Sequence, residues 1–445
     1  KEYRRQRQMC IRDRIRIWYI PTLSERKEPA HNMKVTGIIA EYNPFHNGHL
    51  YQLKTAKETW DTDFIIIVLS GDFMQRGIPG ILNKWERAKM ALGCGADLVL
   101  ELPVLSACAS AEPFAAGGVT LLEKTGVVTD LCFGAESDDL PAFYKLADFL
   151  NREPAAYQDA LRAQLRLGKS FPAARNAALS LCCGENPADD ALLSSPNNIL
   201  GLSYVQRLLS LGSGITPRPL KRRGSGYHDT ALSGPLASAT AIRDFLCKPD
   251  GDALSGIQDQ VPPAVFSILE AAQKDGDFLF SDDLSAMLHY KLLCECASGF
   301  TSYLDVTPDL SNKIRKNLSD FTCWSDFVLQ LKSKELTHTR ISRALLHILL
   351  NLTEEDFALA GVFSFAPYLR LLGFRKSAAP LLSTIKKNAD IPLIAKLADA
   401  KSYLSDDACA LLSKDIFAAD VYRLALTAKT GKRLPNEFSH SPIVF

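Results

Sequence analysis

The sequence predicts an α/β protein in which residues 33–250 form a covered parallel sheet and residues 251–445 are mostly helical. Four apolar runs of strand length alternate with helical segments in the first part: Val35–Ala40, Asp63–Ser70, Asp97–Leu102 and Asp130–Phe133. Each run is apolar at successive positions, which is typical of parallel strands with helices on both faces. The 47% apolar content of the 445 residues is ample for such a core.

The first strand leads into a turn that carries two histidines. Pro44 fixes its own φ and disfavours helix at Asn43, so the chain leaves the sheet there. Apolar residues in Leu50–Ala56 recur at helical spacing, which places His46 and His49 one turn apart at the amino end of a helix. The N–H groups and the dipole at that end attract anions. The pattern indicates a cradle for nucleotide phosphates, and a surface turn with two solvated histidines is the alternative.

Loops that leave the carboxyl ends of parallel strands meet at one edge of a sheet, so Ser70–Gly77 and Gly134–Glu136 should lie beside the histidine turn. Four polar residues in or after the first loop are candidates for contact with phosphate or a second substrate, with a solvated position as the alternative for each: Gln75, Arg76, Lys84 and Arg87. Asp97 and Glu101 are expected to cap or to form ion pairs.

A second group of polar motifs lies between residues 194 and 244. Pro196–Gly201 precedes a predicted helix, and Lys221–Asp229 follows a short strand-like run. A further helix opens where Ser238 and Thr240 can present hydroxyl and N–H groups to phosphate, with Arg243 as a fixed positive charge one turn later. An ordinary N-cap with a surface arginine is the alternative.

The His-x-Gly-His order after a strand resembles the signature of the nucleotidyltransferase superfamily, which includes class I aminoacyl-tRNA synthetases and cofactor adenylyltransferases. Its partner there is a Ser-Ser/Ala-Thr-x-Ile-Arg segment, similar to Ser238–Arg243. The chain is similar to one family in particular, the bacterial tRNA(Met) cytidine acetate ligases, in these segments: Glu41–Tyr51, Ser70–Gly77, Lys84–Arg87, Ala96–Pro103, Pro196–Gly201 and Lys221–Asp229. The resemblance implies a Rossmann-like nucleotidyltransferase domain that activates acetate with ATP and acetylates N4 of the wobble cytidine of elongator tRNA(Met).

The resemblance also implies which residues contact ATP. These are Ile39, Ala40, Glu41, Tyr42, Asn43, Pro44, Phe45, His46, Asn47, Gly48, His49, Leu50, Tyr51, Gln52, Gly134, Asn197, Asn198, Arg222 and Arg223, and we expect Ser238 and Thr240 to join them. Three positions depart from the family pattern. Gln52 stands where histidine is frequent, Asp72 where asparagine is frequent, and Arg223 where an aliphatic residue is common.

His46, His49 and Arg243 are expected to be catalytic, because fixed donors and positive charge stabilise a departing pyrophosphate. Magnesium is expected on the triphosphate, although no carboxylate cluster in the sequence marks a dedicated metal site. An adenylyltransferase that makes a dinucleotide or pantetheine cofactor is the alternative function, and a catalytically silent nucleotide-binding module is a third. The long helical region disfavours the cofactor enzyme, since such enzymes are often little more than the α/β domain.

The helical region carries a candidate RNA-binding face. Arg340, Arg343 and His347 recur on one side of a predicted helix, and we expect the two arginines to dock tRNA. A solvated helix face is the alternative. Further positive charge follows at Arg370, Arg375, Lys376, Lys386 and Lys387.

Cysteine usage and hydropathy favour a cytoplasmic protein without a membrane anchor, and we expect no stable protein partner. The eleven cysteines are scattered and have no metal or disulfide spacing, which favours reduced thiols. No stretch is long and apolar enough to span a bilayer.

Residues 1–32 differ from the rest of the chain in charge. They hold nine of the 51 basic and four of the 50 acidic residues, so the remainder carries 42 bases against 46 acids. An RNA-binding arm and a transit peptide are two interpretations. The run Arg5–Arg14 resembles translated sequencing-adapter sequence, however, and Met33 opens the first strand as a natural start would. We therefore expect residues 1–32 to be a non-native or disordered extension.

Removing Lys1–Asn32 is thus expected to change neither tRNA affinity nor activity, because the segment is foreign to the folded protein. Binding of tRNA to both chains over a series of salt concentrations measures this. A much shallower salt dependence after truncation would show that these basic residues contact phosphates.

Overall fold

The computed structural model describes residues 33–169, 171–183, 192–193, 195–222, 237–247, 254–333 and 335–445; the predictions for residues 1–32 and for Arg223 lie outside them. The strands are β1 Val35–Ala40, β2 Phe64–Ser70, β3 Leu98–Leu102, β4 Asp130–Ala135, β5 Thr216–Lys221, β6 Leu369–Phe374, β7 Leu393–Ile394 and β8 Ile443–Val444. They form one sheet in the order β5-β4-β1-β2-β3-β6-β7, with β8 also paired to β6. Strands β1 to β5 are parallel to one another, whereas β6 runs antiparallel to β3.

Helices account for most of the remaining described residues. In chain order they are α1 Asn47–Thr59, α2 Lys84–Gly93, α3 Val104–Ala107, α4 Ala111–Lys124, α5 Leu140–Arg152, α6 Ala155–Arg166, α7 Phe171–Cys183, α8 Pro196–Leu211, α9 Ala239–Leu246, α10 Pro263–Asp275, α11 Ser285–Glu295, α12 Pro308–Asn317, α13 Trp324–Leu331, α14 His338–Leu349, α15 Glu354–Val362, α16 Ala379–Asn388 and α17 Asp406–Thr430. Within the described ranges, no helix is both long and apolar enough to cross a membrane.

The apolar runs form strands because hydrophobic cores lie on both faces of the sheet. In β2, Ile66 and Val68 belong to one core, while Ile65, Ile67 and Leu69 belong to the other, and all five are fully buried. Helices α4, α5 and α8 contribute to the first core, and α1, α2 and α10 contribute to the second. The predicted strands and the covered parallel sheet are therefore confirmed.

The order of strands reverses beside β1. The chain passes from β1 to β2 and β3 on one side, and β4 and β5 then lie on the other side of β1. Loops that leave β1 and β4 at their carboxyl ends diverge at this point, which opens a crevice in sheets of this kind. The histidine turn follows β1, and Gly134 lies near the end of β4. The fold thus brings both predicted nucleotide-binding segments to one edge.

The region after residue 250 is mostly helical, as predicted, but it also extends the sheet. Strand β6 pairs with β3 in antiparallel register, with Leu371 opposite Leu100. Strands β7 and β8 both pair with β6. Later elements therefore pack directly on the edge of the first sheet, which the sequence did not predict. The division into domains at residues 33–250 and 251–445 stays a prediction.

A buried ion cluster joins α2 to the end of the described chain. Nζ of Lys84 lies 2.8 Å from Oε1 of Glu101 and 2.9 Å from Oε2 of Glu437. Arg370 lies 3.0 Å from Oε2 of Glu101 and also pairs with Glu437. Burial alone would raise the pKa of Glu437, but Lys84 and Arg370 lower it to about 2. Neither Lys84 nor Arg370 is thus a surface charge. The predicted contact of Lys84 with phosphate or a second substrate is therefore wrong, and Arg370 adds no positive charge to the surface.

Replacing Glu437 with alanine is expected to lower the free energy of unfolding by about 3–5 kcal/mol, because it removes one of the carboxylates that balance the buried charges of Lys84 and Arg370. Unfolding in urea measures the loss. Glu86→Ala is the control, since it removes an exposed pair with Lys89 and should cost less than about 1 kcal/mol. Similar small losses for both variants would contradict a structural role for the cluster.

Candidate active site

Two imidazoles cap the first turn of α1. Nδ1 of His46, the N-cap residue, accepts a hydrogen bond from the Gly48 N–H at 3.0 Å. In return, Nδ1 of His49 accepts a hydrogen bond from the His46 N–H at 3.2 Å. Because both Nδ1 atoms are acceptors, each neutral ring carries its proton on Nε2. The two Nε2–H groups are therefore the donors that this pair can present to a ligand.

Both imidazoles are neutral at physiological pH. Burial, followed by the charges of Arg222 and Arg243, lowers the pKa of His46 from 6.5 to about 3. Burial, His46 and Arg222 lower the pKa of His49 well below 6.5. The unfolded chain binds these protons near pH 6.5 and the folded chain does not, so stability declines as the pH falls from 6.5 towards 3. The pair serves as hydrogen-bond donors and the arginines supply the positive charge.

Close packing fixes the orientation of the rings. His46 and His49 stack with their centroids 3.7 Å apart. His49 also packs edge-on against Tyr42, with the ring centroids 4.8 Å apart. A Cβ on Gly48 would lie 2.8 Å from Cε1 of His46, so only glycine leaves this ring its capping position. The need for space beside His46 thus explains the glycine of the His-x-Gly-His motif.

Arginines converge at the start of α9. Ser238 is the N-cap residue, and its Oγ accepts a hydrogen bond from the backbone of α9. Arg243 donates to Oγ1 of Thr240 at 3.2 Å and to the carbonyl of Asn43 at 2.5 Å. Arg76 donates to the same Thr240 hydroxyl at 3.4 Å. The β2 loop, the histidine turn and α9 therefore meet at one positively charged point.

The Asn197–Asn198 pair lies within the first turn of α8, so the prediction that it precedes this helix is wrong. Ser195 caps α8 and Pro196 occupies the first turn. Those two residues are the sequence signal that marks the true start, because serine is favoured at the N-cap and proline in the first turn.

The two asparagines hold the loop that follows β4. Oδ1 of buried Asn198 accepts hydrogen bonds from the backbone N–H groups of Glu136 and Ser137 at 2.9 and 3.2 Å. Nδ2 of Asn197 donates to Oε1 of Glu136 at 2.6 Å. Arg222 reaches the same carboxylate oxygen at 3.9 Å. The sequence assigned no role to Glu136, which lies at the centre of these contacts.

Other predicted site residues have structural partners. Oε1 of Glu41 accepts a hydrogen bond from the Gln75 N–H at 2.7 Å, which joins the loops after β1 and β2. Gln52 donates to the carbonyl of Cys132 in β4 at 3.3 Å. Arg87 is fully buried and donates to backbone carbonyls, so both its predicted substrate contact and its solvated alternative are wrong. The expectation that Asp97 and Glu101 cap or pair is confirmed.

Two residues of the arginine face of α14 make contacts within the protein. Nε of Arg343 lies 3.3 Å from Oδ2 of Asp305, and the side chain of Arg343 is 14% exposed. His347 is fully buried and contacts backbone carbonyls through both ring nitrogens, so it does not share a docking face. Arg340 is half-buried.

Helix α14 also touches the loop that carries Arg76. Oγ of Ser342 donates to the carbonyl of Gly77 at 2.8 Å. A Cβ on Gly77 would lie 2.3 Å from the backbone nitrogen of Arg343. The candidate RNA-binding helix is therefore in direct contact with the edge of the candidate active site.

Comparison with known proteins agrees with this geometry. A family profile described as HIGH Nucleotidyl Transferase matches residues 33–437. The tRNA(Met) cytidine acetate ligase of Caldanaerobacter subterraneus subsp. tengcongensis is 39% identical over 394 residues, which cover 88% of this chain and 96% of that protein. This chain belongs to the tRNA(Met) cytidine acetate ligase family. The member from Acetivibrio thermocellus is 34% identical over 414 residues, or 93% of this chain and 100% of that protein.

Solved structures of the family share the fold. The crystal structure of apo TmcAL from Thermotoga maritima superimposes with a TM-score of 0.87 at 32% identity, covering 93% of this chain and 100% of that one. A second T. maritima TmcAL structure, bound with alpha-thio ATP, has a TM-score of 0.85 at 31% identity and the same coverage. The predicted family and fold class are therefore confirmed.

His46→Ala and His49→Ala are each expected to slow adenylate formation by about 10²–10³, the usual cost of one preorganised donor. Loss of the His46 cap should lower stability by only about 1 kcal/mol. Single-turnover kinetics and thermal melting separate the two effects. His289→Ala is the matched control and should retain the wild-type rate, because His289 lies on α11 and stacks on Phe321 rather than on the histidine turn. A much lower melting temperature with a near-normal rate would instead mean that the imidazoles stabilise the fold by packing.

Proposed function

We propose that this chain is an ATP-dependent tRNA(Met) cytidine acetate ligase of the cytoplasm. It converts acetate and ATP to acetyl-adenylate and transfers the acetyl group to N4 of the wobble cytidine, position 34, of elongator tRNA(Met), forming N4-acetylcytidine. The proposal rests mainly on one observation. A pair of neutral imidazoles lies beside Arg222 and Arg243 at the point where the strand order reverses. The names of the relatives support the choice of tRNA, and the alpha-thio ATP in the T. maritima protein supports ATP.

Adenylation requires positioning and charge stabilisation rather than covalent catalysis. An acetate oxygen attacks the α-phosphorus of ATP, and the bond to the β-phosphate oxygen breaks as pyrophosphate leaves. The Nε2–H groups of His46 and His49 donate to the phosphate oxygens, and Arg243 and Arg222 stabilise the developing negative charge. Neutral donors suit this position because two protonated imidazoles would repel the neighbouring guanidinium groups.

Acetyl transfer then uses the good leaving group made in the first step. N4 of cytidine attacks the acetyl carbon, the bond from that carbon to the phosphate oxygen breaks, and AMP leaves. N4 loses one proton as the amide forms. No general base is assigned, because adenylate is already activated and the amine is neutral.

The ATP-contacting set remains the one that the resemblance implies. It comprises the stretch Ile39–Gln52 with Gly134, Asn197, Asn198, Arg222 and Arg223, and Ser238 and Thr240 are proposed to join it. Magnesium would neutralise charge on the bound triphosphate. Among the described residues, no group of three or more His, Cys, Asp or Glu side chains is arranged to hold a metal ion. Phosphate oxygens and water are ligands that Mg²⁺ commonly uses in nucleotide sites.

The region after residue 250 is proposed to dock tRNA through Arg340 and Arg343. Its support is the contact between Ser342 and Gly77, because this contact puts helix α14 next to the loop of Arg76. A polyanion bound along α14 would therefore pass the edge of the adenylate site.

Incubation with ATP, acetate and bulk bacterial tRNA is expected to yield N4-acetylcytidine, detected by mass spectrometry of the tRNA nucleosides. Acetate should also drive exchange of labelled pyrophosphate into ATP in the absence of tRNA, since adenylation precedes transfer. If exchange did not depend on acetate but required nicotinamide mononucleotide or phosphopantetheine, the protein would be a cofactor adenylyltransferase instead.

Replacing Arg340 and Arg343 together with glutamine is expected to weaken tRNA binding and reduce its salt slope by roughly one unit per lost phosphate contact. Acetate-dependent exchange should remain unchanged. Arg152→Gln with Arg162→Gln is the matched control, because these arginines are exposed on α5 and α6. Wild-type affinity and slope in the first double variant would exclude the docking role. Loss of both activities with early melting would point to the Arg343–Asp305 pair as a packing contact.

A further inference from the structure

Glu136 is surrounded by residues of the proposed ATP site. It follows Gly134 by two positions at the end of β4. Its Oε1 accepts a hydrogen bond from Asn197 at 2.6 Å and lies 3.9 Å from Nη1 of Arg222. Its Oε2 accepts a hydrogen bond from the hydroxyl of Ser195. A carboxylate is therefore fixed within a site that is otherwise cationic.

The backbone that carries this carboxylate is held equally firmly. Asn198, which is 1% exposed, accepts from the N–H groups of Glu136 and Ser137. The N–H of Arg222 donates to the carbonyl of Ala135 at 2.9 Å, which fixes the neighbouring strand end. These contacts preorganise the Glu136 side chain from both sides.

A carboxylate at this place must face a neutral part of the nucleotide. It would repel phosphate oxygens. The imidazoles and Arg243, at the end of β1, can bind those oxygens instead. An ionised carboxylate offers about four acceptor sites, of which Asn197 and Ser195 use two. Ribose hydroxyls are neutral hydrogen-bond donors. In other nucleotide-binding α/β sheets, acidic side chains that follow strands bind ribose.

We propose that Glu136 accepts hydrogen bonds from the ribose hydroxyls of ATP and thereby selects ribonucleotides over deoxyribonucleotides. This inference rests on the proposed function only in taking ATP as the ligand. It assigns the β4 end of the crevice to the ribose and the β1 end to the triphosphate.

Orientation of Arg222 is the competing role for Glu136. If the carboxylate only positioned this guanidinium, its removal would weaken ATP and deoxy-ATP equally, because both carry the same triphosphate. If it binds ribose, its removal affects only ligands that possess the hydroxyl. The ratio of affinities therefore distinguishes the two roles, and a general loss of structure would not change that ratio selectively.

Isothermal titration calorimetry with ATP, 2′-deoxy-ATP and 3′-deoxy-ATP tests the proposal on the full-length chain. A hydrogen bond to a charged group corresponds to about tenfold or more in affinity, so wild type should bind at least one deoxy analogue about tenfold more weakly than ATP. Glu136→Ala should bind all three nucleotides alike, at the level of the weaker analogue. Glu112→Ala, at an exposed carboxylate on α4, should keep the wild-type ratios.

Equal affinity of wild type for ATP and both analogues would overturn the proposal, even if Glu136→Ala fails to fold. Full discrimination in a folded Glu136→Ala variant would overturn it as well and would support the role in orienting Arg222. The outcome is independent of acetyl transfer. If the protein acetylates tRNA but does not discriminate between ribose and deoxyribose, only this inference is wrong. If it discriminates between the nucleotides but does not acetylate tRNA, only the proposed function is wrong.

Discussion

The guanidinium of Arg87 holds together the ends of the two strands from which the site is built. It donates to the carbonyls of Glu41 at 2.8 Å, Ser70 at 3.0 Å and Leu82 at 2.9 Å, and also to that of Gly71. The carbonyls of Glu41, Ser70 and Gly71 lie at or just beyond the ends of β1 and β2, and that of Leu82 lies just before α2. An unpaired buried carbonyl costs about 1–3 kcal/mol, and one planar side chain with five donors satisfies four of them. The loops beyond therefore leave the sheet in a fixed relation to each other.

The site built on these loops divides two tasks between two kinds of side chain. His46 and His49 supply directional hydrogen bonds, since their capping of α1 fixes both rings and their tautomers. Arg222 and Arg243 supply charge, and their proximity is one reason why the imidazoles stay neutral. Protonated histidines would add charge but would compete with the arginines for the same space and the same anion. The arrangement thus provides a strong positive field with little internal repulsion.

Sequence patterns predicted the parts of the structure that depend on local order. The strands up to β4 and the start of α1 are apolar runs and turn residues with clear signals, and the fold reproduces them. Lys84 and Arg370 were misjudged because their partners are distant in sequence, and no periodicity marks a tertiary ion pair. Arg87 was misjudged because nothing in its local pattern shows that the fold buries its guanidinium among backbone carbonyls. Strand β6 was missed because a six-residue segment that is apolar except for Arg370 and Gly373, within a helical region, does not distinguish strand from helix.

The burial of Glu437 has a consequence for the synthesis of the protein. The indole N–H of Trp85, the neighbour of Lys84, donates to Glu437 across 352 residues of sequence. At about 5–20 residues per second, the ribosome needs roughly 20–70 s to cover that distance. Until Glu437 is synthesised, Lys84 lacks one of its carboxylates, and until residues 369–374 are synthesised, the sheet edge at β3 lacks β6. Folding of this half is therefore completed late in translation, and a chaperone that shields the edge of β3 would have its longest opportunity during that interval.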